Sequence, residues 1–221
     1  MSKRKRSFAV IGLGRFGSRV ARELVAYGNN VIGVDADPNL VSPIADDLTE
    51  AVIADARDEA ALREAGVASY DAAIVAIGSN LEASVLCHMN LQNLGIEQIT
   101  VKAFDLRHAR ILKALGATDI VIPEQDAGEH IAQRLHNPLI VDYMSVCEGN
   151  YVALVNAPSR CIGKSIEALR QEKSSIIHLI GIMRSDTYLS PVTTEDLHVA
   201  KGDRILIQGS RAAIRDFTDA G

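Results

Sequence analysis

No run of apolar residues in the 221-residue sequence approaches the ~18 that a membrane helix requires. The longest, such as Ala72 to Ile77, have the length of a strand, so nothing is expected to span a bilayer. There is no excess of positive charge. The 23 Lys and Arg face 28 Asp and Glu, giving a net charge of -5; such a surface repels a polyphosphate backbone and argues against nucleic acid as a partner. Cysteine is scarce: Cys87, Cys147 and Cys161 are odd in number and lack C-x-x-C spacing, as expected of packing residues in a reducing, cytosolic compartment. No two of the six histidines stand three to five residues apart, which removes the zinc-helix and zinc-finger patterns. Repeats and low-complexity segments are missing as well. Lys3, Arg4, Lys5 and Arg6 lead into only four apolar residues, Phe8 to Ile11, too few for a secretory signal, so the basic tetrad reads as a solvated tail.

What remains is an ordinary globular composition, 48% hydrophobic and 23% charged, with length for one large domain or two modest ones. From Ser7 to Pro123, short β-branched runs alternate with helical segments, the pattern of a parallel sheet covered on both faces. Strands are expected at Phe8 to Ile11, Val31 to Asp35, Ala51 to Ala54, Ala72 to Ala76, Ile99 to Val101 and Ile120 to Ile122. Between them, Phe16/Val20/Leu24, Leu40/Ile44/Leu48 and Leu81/Val85/Met89 each recur at i, i+4, i+8 and predict apolar stripes laid on the sheet. Asp37 and Pro38 suit an N-cap and first helical position, and Gly28, Gly66 and Gly116 suit left-handed helix ends. Pro43 falls inside the second predicted helix, which should be kinked or start irregularly there. Residues 124–138, closing with Asn137 and Pro138, read as a helical connector. Residues 139–221 read as a small α+β unit with strands near Tyr151 to Val155, Ile176 to Met183 and Arg204 to Ile207. They also predict a short helix near Lys164 to Arg170 and a terminal helix from Ala212. A unit this small is expected to draw stability from dimer contacts.

Immediately after the first strand comes Gly12-Leu13-Gly14-Arg15-Phe16-Gly17, a G-x-G-x-x-G turning from strand into helix. In this Rossmann-like, doubly wound arrangement the first glycine makes the tight turn and the second lets a phosphate approach the backbone. The third permits close helix-to-strand packing, and phosphates are held by free N–H groups and the helix dipole. Asp35, 18 residues after Gly17 at the end of the second strand, is placed to accept ribose hydroxyls. Ala36 follows it, so no arginine stands there for a 2′-phosphate. Arg15 opposes the dipole in the first helical turn and should be compensated by an anion, such as outer phosphates. Lys102, at the carboxyl end of the fifth strand, is a second phosphate candidate. Glu124 could contact a divalent cation bridging phosphates, or simply favour a helix start. Ile77, Gly78, Ser79 and Asn80 form a further wall, with Asn80 also suited to capping the next helix.

Catalytic signatures are missing. There is no Tyr-x-x-x-Lys and no G-x-S-x-G, and Ile162-Gly163-Lys164-Ser165 fails as a phosphate loop because Pro158 stands where its first glycine belongs. An NAD-dependent oxidoreductase remains the alternative, but the second unit offers only scattered polar residues such as His178 and His198. A Rossmann-type transcription factor would need a basic helix-turn-helix. A nucleotide bound without chemistry acts as a ligand that shifts a conformational equilibrium.

The sequence closely resembles the RCK-domain (TrkA-N/TrkA-C) regulatory subunits of Ktr and Trk potassium transporters, the KtrA-like ones in particular. The resemblance rests on residues 8–17, Val34-Asp35, Val75-Ala76-Ile77-Gly78, Val101-Lys102-Ala103, Pro123-Glu124, Gly163-Lys164-Ser165-Ile166 and Lys201-Gly202-Asp203. It implies a nucleotide-binding domain over 1–123, a crossover helix over 124–138 and a ligand or dimerisation domain over 139–221. It further implies homodimers assembled into an octameric ring, cytoplasmic and peripheral to the inner face of the membrane through a potassium-transporting subunit. ATP and ADP would compete for the cleft, NAD or NADH could also occupy it, and the C-terminal domain of some relatives binds cyclic di-AMP. By the same resemblance Asp35 would hold the ribose and Asp55 and Ala56 would flank the adenine. Arg15 and Lys102 would reach phosphates, and Glu124 would contact a cation near the terminal phosphate.

Overall fold

The computed structural model describes residues 5–78, 80–147, 149–171, 177–192, 194 and 196–219. The chain divides into two compact units, Met1–Gln125 and Asp126–Gly221.

In the first unit six parallel strands lie in the order β3-β2-β1-β4-β5-β6: β1 Ser7–Ile11, β2 Asn30–Asp35, β3 Glu50–Ile53, β4 Ala72–Val75, β5 Ile99–Lys102 and β6 Asp119–Val121. This order reverses direction between β1 and β4, so the carboxyl ends of those strands part to leave a crevice. Side chains alternate across the sheet. Ala9, Ile11, Ile32 and Val34 enter one core with Leu62, Leu91 and Leu112, while Val10 and Val31 enter the other with Ala21 and Ile44. Helices therefore cover both faces, as a parallel sheet demands. They are α1 Arg15–Ala26, α2 Pro38–Val41, α3 Glu59–Glu64, α4 Leu81–Asn93 and α5 Leu106–Ala114; α6 Pro123–His136 starts at the end of this unit and runs on as part of the second.

The punctuation residues act as their chemistry requires. Asp37 caps α2 by accepting from the Asn39 amide at 2.9 Å, with Pro38 at the first position, and Gly28, Gly66 and Gly116 take left-handed conformations. Pro43 does not kink a long helix; α2 stops at Val41 and the chain continues as a 3-10 turn over Ser42–Asp47, leaving Leu40 39% exposed. The α4 stripe requires a correction. Leu81 and Met89 are exposed, and the buried face is Ser84, Cys87, His88 and Leu91, spaced i, i+3, i+4, i+7. Polar Ser84 and His88 disguise the face that packs on the sheet.

The second unit is an antiparallel sheet ordered β10-β9-β11-β8-β7, comprising β7 Ile140–Cys147, β8 Asn150–Asn156, β9 Ile177–Arg184, β10 Thr187–Leu189 and β11 Arg204–Gly209. With α7 Ile166–Gln171 and α8 Arg211–Asp219 it encloses Ala153, Val155, Ile182, Ile205, Ile207 and Phe217. Buried Asp203 accepts from Arg184 Nε and Nη2 at 2.9 and 2.8 Å and from the Ala200 amide at 2.7 Å, pinning the turn before β11.

His88 and His108 are buried in the first unit. Neither ring nitrogen of His88 has a partner of hydrogen-bond geometry among the described residues, and Nε2 of His108 has none either. Burial pushes both imidazoles below their ordinary pKa, offset in part by the Leu115 main chain at His88 and by Asp105 at His108. A depressed histidine pKa means that the unfolded chain takes the proton first. Stability is then complete above the ordinary value, about 6.5, and falls as pH drops through and below it. Urea midpoints at pH 7.5 and 5 should show a clear loss for the native chain and a smaller loss for His88→Leu, which fills the same space without a titratable ring.

Candidate functional site

The crevice is built by main-chain geometry around the glycines. Gly12 has φ +97, and a Cβ there would lie 3.0 Å from the Ala76 carbonyl carbon, so strand end and turn could not approach as they do. At Gly17 a Cβ would lie 1.8 Å from the Gly12 carbonyl oxygen, so helix α1 packs directly on the turn below it. Gly14 differs: its backbone is ordinary, φ -62, and a Cβ would meet nothing within 4 Å. As N-cap of α1 it offers no side-chain acceptor, and the first turn of α1 carries no acidic residue. The unsatisfied amides and the positive end of the dipole are therefore left uncompensated by the protein.

Asp35 ties this loop to the end of β2. Its Oδ2 accepts from the Leu13 amide at 2.7 Å and its Oδ1 from the Asp37 amide at 2.9 Å. Each oxygen keeps a second lone pair for another donor. Across the crevice, Asp55 binds Arg57 through Nε at 3.0 Å and Nη2 at 2.6 Å, and Arg57 holds the Asp55 carboxyl below its ordinary pKa. Ala56 is buried, and its carbonyl accepts from Asn90 Nδ2 at 3.0 Å, which fixes this wall to α4.

Gly12, Gly14, Asp35, Asp55, Ala56, Ile77, Gly78 and Asn80 all line one cavity of about 360 Å³. Asn80 also caps α4, accepting from the Ala83 amide at 3.0 Å. Ser79 lies outside the described residues. Arg15, Phe16, Gly17, Lys102 and Glu124 are not in the cavity wall. Lys102 is nearly buried. Its Nζ sits 5.3 Å from the Phe16 ring centroid and 3.3 Å from where a Gly78 Cβ would be, and it donates to Glu124 Oε1 at 2.6 Å. That bond, with a smaller contribution from Arg15, holds the Glu124 carboxyl below its ordinary pKa. Arg15 is exposed and makes no side-chain hydrogen bond or ion pair among the described residues. Arg57 and Leu40 also line the cavity and were not anticipated; Arg57 was legible only as the third residue of Asp55-Ala56-Arg57, a spacing with no distinctive meaning in sequence.

A Rossmann-type sheet with a glycine-lined crevice at its switch point, followed by a small antiparallel unit, defines the class of protein. The TrkA-N domain model matches residues 8–123 and the TrkA-C domain model residues 151–220. The chain belongs to the TrkA-N/TrkA-C (RCK) family, with the KtrA-like members. It is 36% identical over 96% of both chains to the Ktr system potassium uptake protein C of Bacillus subtilis. To the Ktr system potassium uptake protein A of the same organism it is 34% identical, over 99% of this chain and 98% of that one. Among solved structures it shares the fold of the GsuK channel, with a TM-score of 0.68 and 13% identity, spanning 99% of this chain and 40% of that one.

The glycines separate into two kinds, and substitution should divide them. Gly17→Ala forces backbone apart and should destabilise the first unit by about 2 kcal/mol or more. Gly14→Ala should cost less than about 1 kcal/mol, the price of a poorer N-cap. Urea denaturation of both variants measures the contrast.

Proposed function

We propose that the crevice binds an adenine nucleotide and that this chain is the cytosolic subunit through which nucleotide state gates a membrane potassium uptake system. The observation that carries the reading is the uncapped, acid-free N-terminus of α1, with Arg15 standing unpaired beside it. A helix end without a cap or an acidic first turn, beside a guanidinium that only the Glu124 carboxylate influences at a distance, is a place prepared for an anion. The names of the relatives, potassium uptake proteins similar over nearly the whole length, supply the biological setting.

In this reading Asp35 uses its remaining lone pairs for the ribose hydroxyls, and Asp55 and Ala56 flank the adenine with Arg57 beside them. Phosphates lie over Gly14 and the first amides of α1 and extend towards Arg15 and Lys102. NAD or NADH would compete for the same crevice in this reading, and NADP is disfavoured because no arginine follows Asp35 to meet a 2′-phosphate. No group of three or more metal-ligating side chains gathers among the described residues. A divalent cation would therefore be held between Glu124, ionised beside Lys102, and phosphate oxygens, the usual arrangement for magnesium. Attachment to the membrane is assigned to the transporter subunit, because no described helix is long and apolar enough to cross a bilayer.

The proposed mechanism is differential contact. The terminal phosphate of ATP engages Arg15, of the same chain or a neighbour, and ADP does not reach it. Each nucleotide then favours a different angle between protomers of an octameric ring of dimers. Coupling of roughly 1–3 kcal/mol per site, summed over the ring, is enough to move a gate. Arg15→Ala should abolish discrimination between ATP and ADP while sparing adenosine binding, as read by thermal-shift titration with ATP, ADP, NADH and cyclic di-AMP. Mass spectrometry of the copurifying nucleotide identifies the resident ligand. Equal loss of both affinities, or an occupant without adenosine, would overturn the reading.

A further inference from the structure

We infer that the second unit holds a ligand pocket of its own, for a small molecule that joins a planar aromatic ring to an anionic group. The pocket is a cavity of about 380 Å³ bounded by the last turns of α6, by β7 and β8, and by α8. Its floor is apolar, formed by Ile140, Ala153 and Ile214. Tyr143 and Tyr151, both half-buried, line it as a pair with ring centroids 5.5 Å apart, and His130 stacks behind Tyr143 at 5.8 Å. These rings offer π faces in a chain with only 4% aromatic residues.

The charge is the second half of the argument. The Arg211 guanidinium lies 5.2 Å from the Tyr151 ring centroid, and its Nη2 donates to the Tyr151 hydroxyl at 3.3 Å. It has no acidic partner among the described residues, and it occupies the first turn of α8, where the dipole opposes a cation. One helical turn on, Arg215 also lines the pocket and only grazes Asp216 at 4.0 Å. An apolar cleft with stacked rings and a guanidinium held at its edge matches a ligand whose ring slides against tyrosine while its anion meets arginine. The chemistry of the wall, an aromatic pair and a guanidinium over an apolar floor, sets the class, and a fused ring bearing one anionic group is the smallest probe that meets all three.

Because every lining residue belongs to the second unit, the inference stands apart from the nucleotide crevice. Isothermal titration of the full chain with 2-naphthoate, 2-naphthyl phosphate and uncharged 2-naphthylmethanol tests it. Saturable binding of at least one anion is expected, with the alcohol about tenfold weaker or more; the ratio of carboxylate to phosphate affinity identifies the anion. Arg211→Gln, at an exposed position that leaves the fold intact, should weaken the anion about tenfold, and Tyr151→Leu should do so where Tyr151→Phe does not. Glu64→Gln, at an exposed position of the other unit, should leave these affinities unchanged. Absence of saturable binding by both anions, alcohol binding as tight as theirs, or unchanged affinity in Arg211→Gln would overturn the proposal.

Discussion

Everything in the first unit depends on how closely α1 approaches the turn that precedes it. The helix lies against the Gly12 carbonyl with no room for even one methyl group at Gly17. That contact fixes where the positive end of the helix points, and it points into the gap at which the sheet reverses its strand order. The crevice, the free amides and the place of Arg15 are all consequences of two residues lacking side chains.

Around that fixed end the charges are arranged unequally. Lys102 is buried beneath Phe16 and already satisfied by Glu124, whereas Arg15 is solvent-facing and unpaired. The buried lysine contributes a steady local potential and the exposed arginine can move. In a protein proposed to sense the number of phosphates on its ligand, that division assigns affinity to one cation and discrimination to the other. Glu124 accepts from Lys102 and feels the charge of Arg15 as well, and its bond to Lys102 couples β5 to the first turn of α6.

Much of this was legible in the amino-acid sequence, and the parts that were not share a cause. The parallel strands announce themselves because both faces are buried, so Val31 to Val34 and Ala72 to Val75 read as continuous apolar runs. The glycine loop and Asp35 are legible because main-chain geometry there tolerates few residue types. By contrast, the buried face of α4 includes Ser84 and His88, and hydrophobic periodicity pointed to Leu81 and Met89 instead. β7 escaped notice because Asp142 and Ser145 interrupt it and its register with β8 shifts twice, which destroys the alternation of period two. β10 is three residues long and follows a left-handed Ser185-Asp186 turn without the Asn-Gly or Asp-Gly signal of a tight hairpin. Arg57 and the Lys102 to Glu124 bond depend on residues brought together only by the fold.

Asp35 joins two duties that are often imagined as separate. The carboxylate proposed to meet a ribose is also the acceptor that anchors the Leu13 amide, so in that reading the residue choosing the sugar is a structural rivet of the loop proposed to receive the phosphates. Exchanging it to retune cofactor preference would slacken the phosphate cradle in the same stroke. Selectivity and preorganisation at this crevice must therefore drift together through any lineage or redesign.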